Sequence, residues 1–469
     1  MDIFRDPEFL ASLDAVQPKA SGAFAADDPR ADAMVLSDYT TWQDAAGHDV
    51  PPPPAYGCAS VAEVLESAGS LVDHGSCEAA ADPLDLAAGE GIDLSSRRDI
   101  GGVSPYRHSA DGLNLRERLN AAGVDNTFRS VCVVMVDGLG AELLEQYGSY
   151  APFLKKATTL GVLDAAFPTT TAASLSSFGT CLAPGAHGIV GYDVRNPATG
   201  QIMNHLSGWP KEIDPHTWQP LPTVMERLSA NRRVVTISLA KYRGSGLTEA
   251  SLRGGEFLGA QGVNARITHA VELLNSRTPT LVYLYWPELD QAGHKYGAGS
   301  EQWLQALQEL DSCLKRLAGR IPAWAALLLT ADHGMVNVPE ENRMDITERA
   351  ELWEDIELSA GEPRAVHLYV SGDSERAKAE ATERALATWS DHFGDIAWVL
   401  DSRQLWERGY FGPVSLGWAR ERTGDIMVCA REDVALYDMR HYKPTALHMV
   451  GQHGSLTEAE RKIPLLLLG

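Results

Sequence analysis

The sequence predicts an α/β chain: a largely parallel central sheet covered by helices on both faces, with a small α+β subdomain inserted late in the chain. Two observations carry that prediction. From about residue 128, short apolar runs rich in β-branched residues alternate with helical patterns, as βαβ units do. Several of these runs are followed at once, or within a few residues, by Asp or His, and in open α/β sheets the residues just beyond strand ends converge on one crevice. The bulk composition agrees, since 469 residues at 44% hydrophobic and 22% charged describe a globular chain of one large or two ordinary domains.

Residues 1–125 read as an acidic, weakly patterned N-terminal extension. They are rich in Ala, Asp, Gly and Ser, include Pro51 to Pro54, and carry 22 acidic against 8 basic residues. Short helical patches fit at 61–72 and 113–122, and much of the rest reads as extended or loosely packed. Residues 126–469 read as the catalytic domain. Its expected strands are 130–136, 162–166, 233–239, 280–285 and 324–330, each a compact apolar run. Its expected helices are 172–180, 223–229, 264–276, 300–318 and 373–393. Within 361–450, strands at 365–370, 396–400 and 425–430 around the last of these helices form the α+β subdomain, an insertion of the kind that shapes the mouth of a site.

Charge and cysteine usage narrow the function. A net charge of −23 argues against a nucleic-acid polymer as partner, so an anionic substrate needs a local source of positive charge such as bound metal. The six cysteines are widely spaced with no CxxC pair, which reads as free thiols in a reducing compartment. The N-terminus lacks a signal-peptide pattern and no run reaches the roughly 18 apolar residues of a membrane span. The expectation is a cytoplasmic protein without a membrane partner. Gly138-Leu139-Gly140 lacks the third glycine of a dinucleotide fingerprint, so no nucleotide cofactor is expected.

The chemistry sits at the run ends. Asp137 follows Val131 to Val136, and Asp332-His333-Gly334 follows Ala325 to Ala331. Asp290 and His294 are spaced i and i+4, which on a helical turn places both on one face and lets them chelate one metal. A lone strand-end Asp is usually a helix N-cap, and an isolated Asp-x-x-x-His usually an Asp orienting a surface His. Three strand ends with the same habit shift that balance. Thr169 to Thr171 stand where an apolar strand runs into a small-residue helix, and oriented amides there favour a developing alkoxide and an incoming phosphate. An N-cap threonine is the plain alternative. A threonine hydroxyl needs a base or a metal to become a nucleophile.

Taken together, VVMVDGLG, FPTTTA with HGIVGY downstream, ELDQAGHKYG, TADHGM and GQHG occur in the order seen in the alkaline phosphatase superfamily. Over residues 128–469 the chain resembles its type I phosphodiesterase/nucleotide pyrophosphatase branch. The resemblance implies an alkaline-phosphatase-like three-layer sandwich, two divalent metal ions, most simply zinc, and a threonine that attacks phosphorus through a covalent phosphothreonine. Carried over by motif, Asp290, His294 and His453 hold one metal, Asp137, Asp332 and His333 the other, and Thr171 is nucleophile and ligand to both. FPTTT stands where the family has FPTKT, Ala172-Ala173-Ser174 replace a Phe-Pro-Asn motif, and Tyr192 replaces a later substrate-contacting Asn. The activity the resemblance implies is phosphodiesterase or nucleotide pyrophosphatase, acting on a small phosphate ester. Its rivals are a phosphonoacetate-hydrolase-like phosphonatase, a phosphomonoesterase of the same superfamily, and a catalytically silent protein that binds a phospholigand through metal.

Overall fold

The computed structural model describes residues 42–72, 82–99, 108–124 and 127–469. The expectations for residues 1–41 and the reading of Cys77 as a free thiol lie outside the described residues. The elements that position the site are, in chain order, α1 (Val64–Ser70), β1 (Ser130–Val136), α2 (Ala141–Tyr147), β2 (Thr158–Asp164), α3 (Thr171–Thr180), β3 (Arg233–Leu239) and β4 (Glu256–Ala260). There follow α4 (Val263–Leu274), β5 (Thr280–Trp286), α5 (Glu288–Tyr296), α6 (Glu301–Ala318) and β6 (Ala325–Ala331). The chain continues through β7 (Ile356–Glu362), β8 (Ala365–Val370), α7 (Glu375–Phe393), β9 (Ala397–Asp401), β10 (Ile426–Ala430) and β11 (Lys462–Leu467).

The central sheet has seven strands in the order β2-β11-β6-β1-β5-β3-β4. β6, β1, β5, β3 and β4 run parallel, while β11 is antiparallel to both of its neighbours. Every residue of β1, β5 and β6 is buried, which is why these strands read as unbroken apolar runs rather than alternating ones. Val136 pairs in register with both Trp286 and Ala331, so β1, β5 and β6 end level with one another. Adjacent strands lie about 4.8 Å apart, and residues that follow level ends therefore start as neighbours.

The expected α+β elements form a second, four-stranded antiparallel sheet in the order β7-β8-β10-β9, with α7 packed over it on a separate core that includes Leu368, Trp389 and Val428. Its first strand, β7, alternates buried and exposed residues and has few apolar ones, so no apolar run marks it. Two other differences lie at sheet edges. The expected strand 162–166 is observed at Thr158–Asp164, because its leading residues face solvent on an edge strand while Ala165 and Ala166 are already buried in the turn toward the threonines. β4 is a half-exposed edge strand whose sequence, EFLGA, lacks a compact apolar run.

The described parts of the first 125 residues pack more tightly than their weak patterning leads one to expect. Val61, Val64, Leu65, Leu115 and Leu119 are fully buried in the main core. Glu66 of α1 accepts a bidentate pair from Arg227 at 2.7 and 2.8 Å and lies 3.0 Å from His108, which ties this segment to the sheet-covering layer. No described helix is long and apolar enough to cross a membrane.

Candidate active site

Seven of the residues singled out from the sequence come together at the level ends of β1, β5 and β6. Asp137 is the first residue after β1; its amide donates to Trp286 O at 3.0 Å, locking it beside the end of β5. Gly138 follows with φ +73°, and a Cβ there would stand 3.1 Å from Asp290 Cβ, so glycine both permits the turn and lets the two strand ends close up. Asp332 follows β6 directly, and its Oδ1 accepts from the amides of Gly138 and His333, both at 3.1 Å. Asp290 and His294 lie one turn apart on α5, with His294 Nε2 3.2 Å from Asp290 Oδ2.

The three imidazoles are held alike. Nδ1 of His294, His333 and His453 lies 2.7, 2.9 and 2.8 Å from the carbonyls of Gly451, Gly334 and Thr169. A carbonyl only accepts, so each Nδ1 carries a proton and each Nε2 is the nitrogen turned toward the cluster. His333 Nε2 stands 3.4 Å from Asp137 Oδ1 and 3.6 Å from Asp332 Oδ2, and its ring stacks on His453 at 3.6 Å between centroids.

The three threonines separate into different jobs. Thr169 is a structural pin: its hydroxyl donates to Ser455 O at 2.8 Å and accepts from Gly454 N at 3.0 Å, holding the His453 turn against the start of α3. Thr171, the first residue of α3, has its Oγ1 3.1 Å from His333 Nε2. Thr170 caps the helix through its backbone, and its buried hydroxyl faces the Glu362 carboxyl.

Electrostatics mark the cluster as incomplete by itself. Asp137 Oδ1, Asp290 Oδ1 and Asp332 Oδ2 are buried with no hydrogen-bond partner. Burial pushes Asp137 well above the usual carboxylate range, and the charges of Asp290 and Asp332 push the same way. Burial also raises Asp332, against the pull of His333. For Asp290 burial acts upward too, but His294 outweighs it and holds the carboxyl low; Asp290 in turn lifts His294 to about 9 against its burial. His453 is driven well below its ordinary value by burial and by the two neighbouring imidazoles. Two sets of ligand atoms lie within 4.8 Å of one another, Asp290, His294 and His453 in one and Asp137, Asp290 and His333 in the other, so Asp290 stands between the sets. These groups are candidate metal ligands.

The cluster opens into a cavity of about 460 Å³ lined by Thr171 and by Tyr192, the remaining residue singled out from the sequence. Sequence reasoning missed two residues there. Tyr285, the penultimate residue of β5, donates its hydroxyl to Asp137 Oδ2. Glu362, at the end of β7, is buried beside Thr170 and pushed up to about 8 by that burial. Tyr285 was hidden inside an apolar run, and Glu362 belongs to a strand that no pattern revealed.

The chain matches the type I phosphodiesterase/nucleotide pyrophosphatase family over residues 131–456. It belongs to that family. Among its relatives, a bis(5'-adenosyl)-triphosphatase of Mus musculus is 25% identical over 238 residues, covering 47% of this chain and 50% of that protein. A venom phosphodiesterase of Macrovipera lebetinus is 28% identical over 219 residues, covering 43% of this chain and 25% of that one. The chain thus spans half the length, or less, of these curated relatives. Among solved structures, murine ectonucleotide pyrophosphatase/phosphodiesterase 5 superposes with a TM-score of 0.56 at 18% identity, over 72% of this chain and 87% of that one. Phosphonoacetate hydrolase from Sinorhizobium meliloti 1021 gives 0.53 at 19%, over 72% and 89%. At such identity the two structures speak for the fold, an alkaline-phosphatase-like α/β architecture. The family's fold is present from β1 to β11, and the departures read from the sequence fall on α3, where Ala172, Ala173 and Ser174 are fully buried, and on half-buried Tyr192 at the cavity wall.

Proposed function

We propose that the chain is a metal-dependent phosphoric ester hydrolase of the phosphodiesterase/nucleotide pyrophosphatase type, with Thr171 as its nucleophile. The observation that carries this reading is the Thr171 hydroxyl at the N-terminus of α3, 3.1 Å from His333 Nε2, within a cluster of three buried carboxylates that each keep an unpartnered oxygen. Three carboxylates so close repel one another unless cations lie among them. Imidazole and carboxylate donors suit divalent ions, zinc most simply. We assign Asp290, His294 and His453 to one ion and Asp137, Asp332 and His333 to the other, with Thr171 shared. Bound there, the ions would lower the pKa of the threonine hydroxyl and neutralise the non-bridging oxygens of a phosphoester.

The chain's own residues supply the rest. Thr171 Oγ1 gives up its proton to solvent and attacks phosphorus in line with the departing alcohol; the new Oγ1–P bond forms as the ester P–O bond breaks, and the alcohol leaves with a proton from solvent. The first-turn amides of α3 lack intrahelical partners and favour the negative charge that gathers there. Water then attacks the phosphothreonine from the opposite side and restores the hydroxyl, so two inversions give net retention at phosphorus. Fixed imidazole tautomers and level strand ends hold these groups in place beforehand, which is where positioning lowers a barrier.

Relatives named as a triphosphatase and phosphodiesterases, and a solved murine neighbour described as an inactive threonine-to-alanine variant with AMP, support a nucleotide-sized phosphoester. The nearest rival is a phosphonoacetate-hydrolase-like reaction, given that fold neighbour. Against it, among the described residues lining the cavity none is Lys or Arg to take the second anionic group of such a substrate. The wide spacing of the six cysteines, with no CxxC pair, is what supports the reading of a reducing, cytoplasmic setting.

The deciding experiment is hydrolysis of bis-p-nitrophenyl phosphate, p-nitrophenyl phosphate, dinucleotides and phosphonoacetate with added zinc, wild type beside Thr171→Ala. Diester turnover lost by at least about a thousandfold in Thr171→Ala, with metal content unchanged, is the expected result. Full activity in Thr171→Ala would move the role to Thr170 or to water. Zinc binding with no turnover of any substrate would make the protein a phospholigand binder.

A further inference from the structure

The turn after β6 carries one residue that the reaction does not use, Met335, two positions past His333. It is 2% exposed, and its side chain fits between two glycines. A Cβ on Gly293 would stand 2.3 Å from Met335 Sδ and 2.9 Å from its Cε, and a Cβ on Gly451 would also stand 2.3 Å from Sδ. The sulfur fills the room that both glycines leave open, and a side chain at either would have to displace it. Unbranched and polarisable, methionine suits so narrow a slot.

Both glycines border His294. Gly293 directly precedes it on α5, and the carbonyl of Gly451 accepts from its Nδ1 at 2.7 Å. The amide of Val450 donates to the backbone carbonyl of His294 at 2.8 Å, so the segment leading to His453 grips His294 by its ring and by its main chain. Just past Met335, Val336–Asn337 and Gly451–Gln452 pair as antiparallel strands, with Asn337 opposite Gly451. The Asn337 side chain accepts from Ala298 N at 2.7 Å and donates to Ala298 O at 2.8 Å, which ties the chain beyond α5 to the same strand. Three segments distant in sequence meet at the methionine, and they carry five of the six proposed ligands: Asp332 and His333 before Met335, Asp290 and His294 on α5, and His453 beyond Gly451.

We infer that Met335 is a positioning residue for both ions: its sulfur spaces the Asp332–His333 turn, α5 and the His453 turn, so that one side chain sets the ligand geometry of the two sites together. The inference rests on the two-metal reading above and goes beyond it, since that reading needs only the ligands themselves. A gap at the wedge lets the three segments shift against one another, and ligands spread over them lose their spacing while each remains present. Because Asp290 stands between the two ligand sets, a shift of α5 reaches both.

The test is zinc binding by calorimetry against a competing chelator, beside the visible spectrum of the cobalt(II)-loaded protein, whose bands report coordination geometry, and the Tm of the metal-free protein. Wild type should take two zinc ions. Met335→Ala should bind both about 10- to 100-fold more weakly and shift the cobalt bands. Gly293→Ala, whose methyl presses on the sulfur, should also weaken zinc, and in the Met335→Ala background, where the sulfur is gone, it should cost less than it does alone. A methionine that merely fills core would lower the metal-free Tm and leave zinc affinity and the cobalt bands as in wild type; that result would overturn the inference and leave the two-metal reading standing. Loss confined to one ion would likewise overturn the claim that one side chain sets both sites. Should Met335→Ala not fold, Met335→Val, which also lacks the sulfur, decides by the same zinc and cobalt measurements. A wild type that binds no zinc would overturn both readings.

Discussion

Three imidazoles each held through Nδ1 by a backbone carbonyl, with Nε2 turned to the cluster, are what make it a set of candidate ligands rather than a collection of histidines. Fourteen histidines occur in the chain, and sequence patterning could not separate these three by residue type; strand-end position did so for His333, helical spacing for His294, and motif order for His453. Asp137 and Asp332 were legible because each directly follows an apolar run. Tyr285 was not, because its ring serves the apolar strand while its hydroxyl serves Asp137. Tyr285→Phe should weaken metal affinity or activity about 10- to 100-fold, the usual effect of losing a group that orients a ligand, read by zinc titration and by diester turnover. Asp332→Ala should lower bound metal, read by elemental content of purified protein. Glu362, which lines the cavity, has a stability signature. Burial raises it from 4.5 to about 8, so its contribution to folding is full below about pH 4.5 and is lost as pH rises to about 8. Glu362→Gln should therefore gain stability over wild type at pH 8.5 and not at pH 4.5, measured as the difference in Tm.

At the scale of elements, the strands that lie in the sheet interior were legible and those at its edges were not. β1, β3, β5 and β6 are surrounded and read as apolar blocks; β2 and β4 show solvent one face and blur into loop. The same physics concealed β7, whose last residues carry Glu362 into the cavity. What joins the small sheet to the site is a buried ion pair at the β7–β8 turn. Arg364 donates to both carboxylate oxygens of Glu460 at 2.8 Å, and Glu460 in turn accepts from Ser455 N at 3.0 Å, two residues past His453. Both side chains are fully buried. Arg364→Met leaves a buried, unpaired carboxylate and should destabilise the fold by about 3–5 kcal/mol, measured by denaturant unfolding. The weak pattern of the first 125 residues likewise hid a segment held by Glu66, Arg227 and His108: charged residues were paired across 161 positions in the sequence, and no local periodicity records such a pairing.

For the molecule as a whole, the cluster is a concentration of like charge at the centre of a chain already at −23. Ions that bind only the folded state stabilise it, by about 2.7 kcal/mol at a hundredfold excess over Kd. Chelation should lower Tm, added zinc should restore it, and the two-metal assignment requires about two equivalents of zinc at recovery. A chelator-insensitive Tm would speak against resident ions.

The one antiparallel strand of the central sheet has a consequence for how the chain comes into being. β2 pairs in that sheet with β11 alone, roughly 300 residues downstream, a separation that makes their meeting a slow, late event. A ribosome adding residues in order would have made Thr171, both aspartate-bearing strands and the whole small sheet before β2 acquires its neighbour. During that interval the apolar flank of β6 that β11 will cover is open, and His453, which enters only with the last stretch before β11, is missing from the cluster. The proposed ligand set is therefore complete only after nearly all of this chain has been synthesised, which delays hydrolytic competence until the fold is ready to close around it.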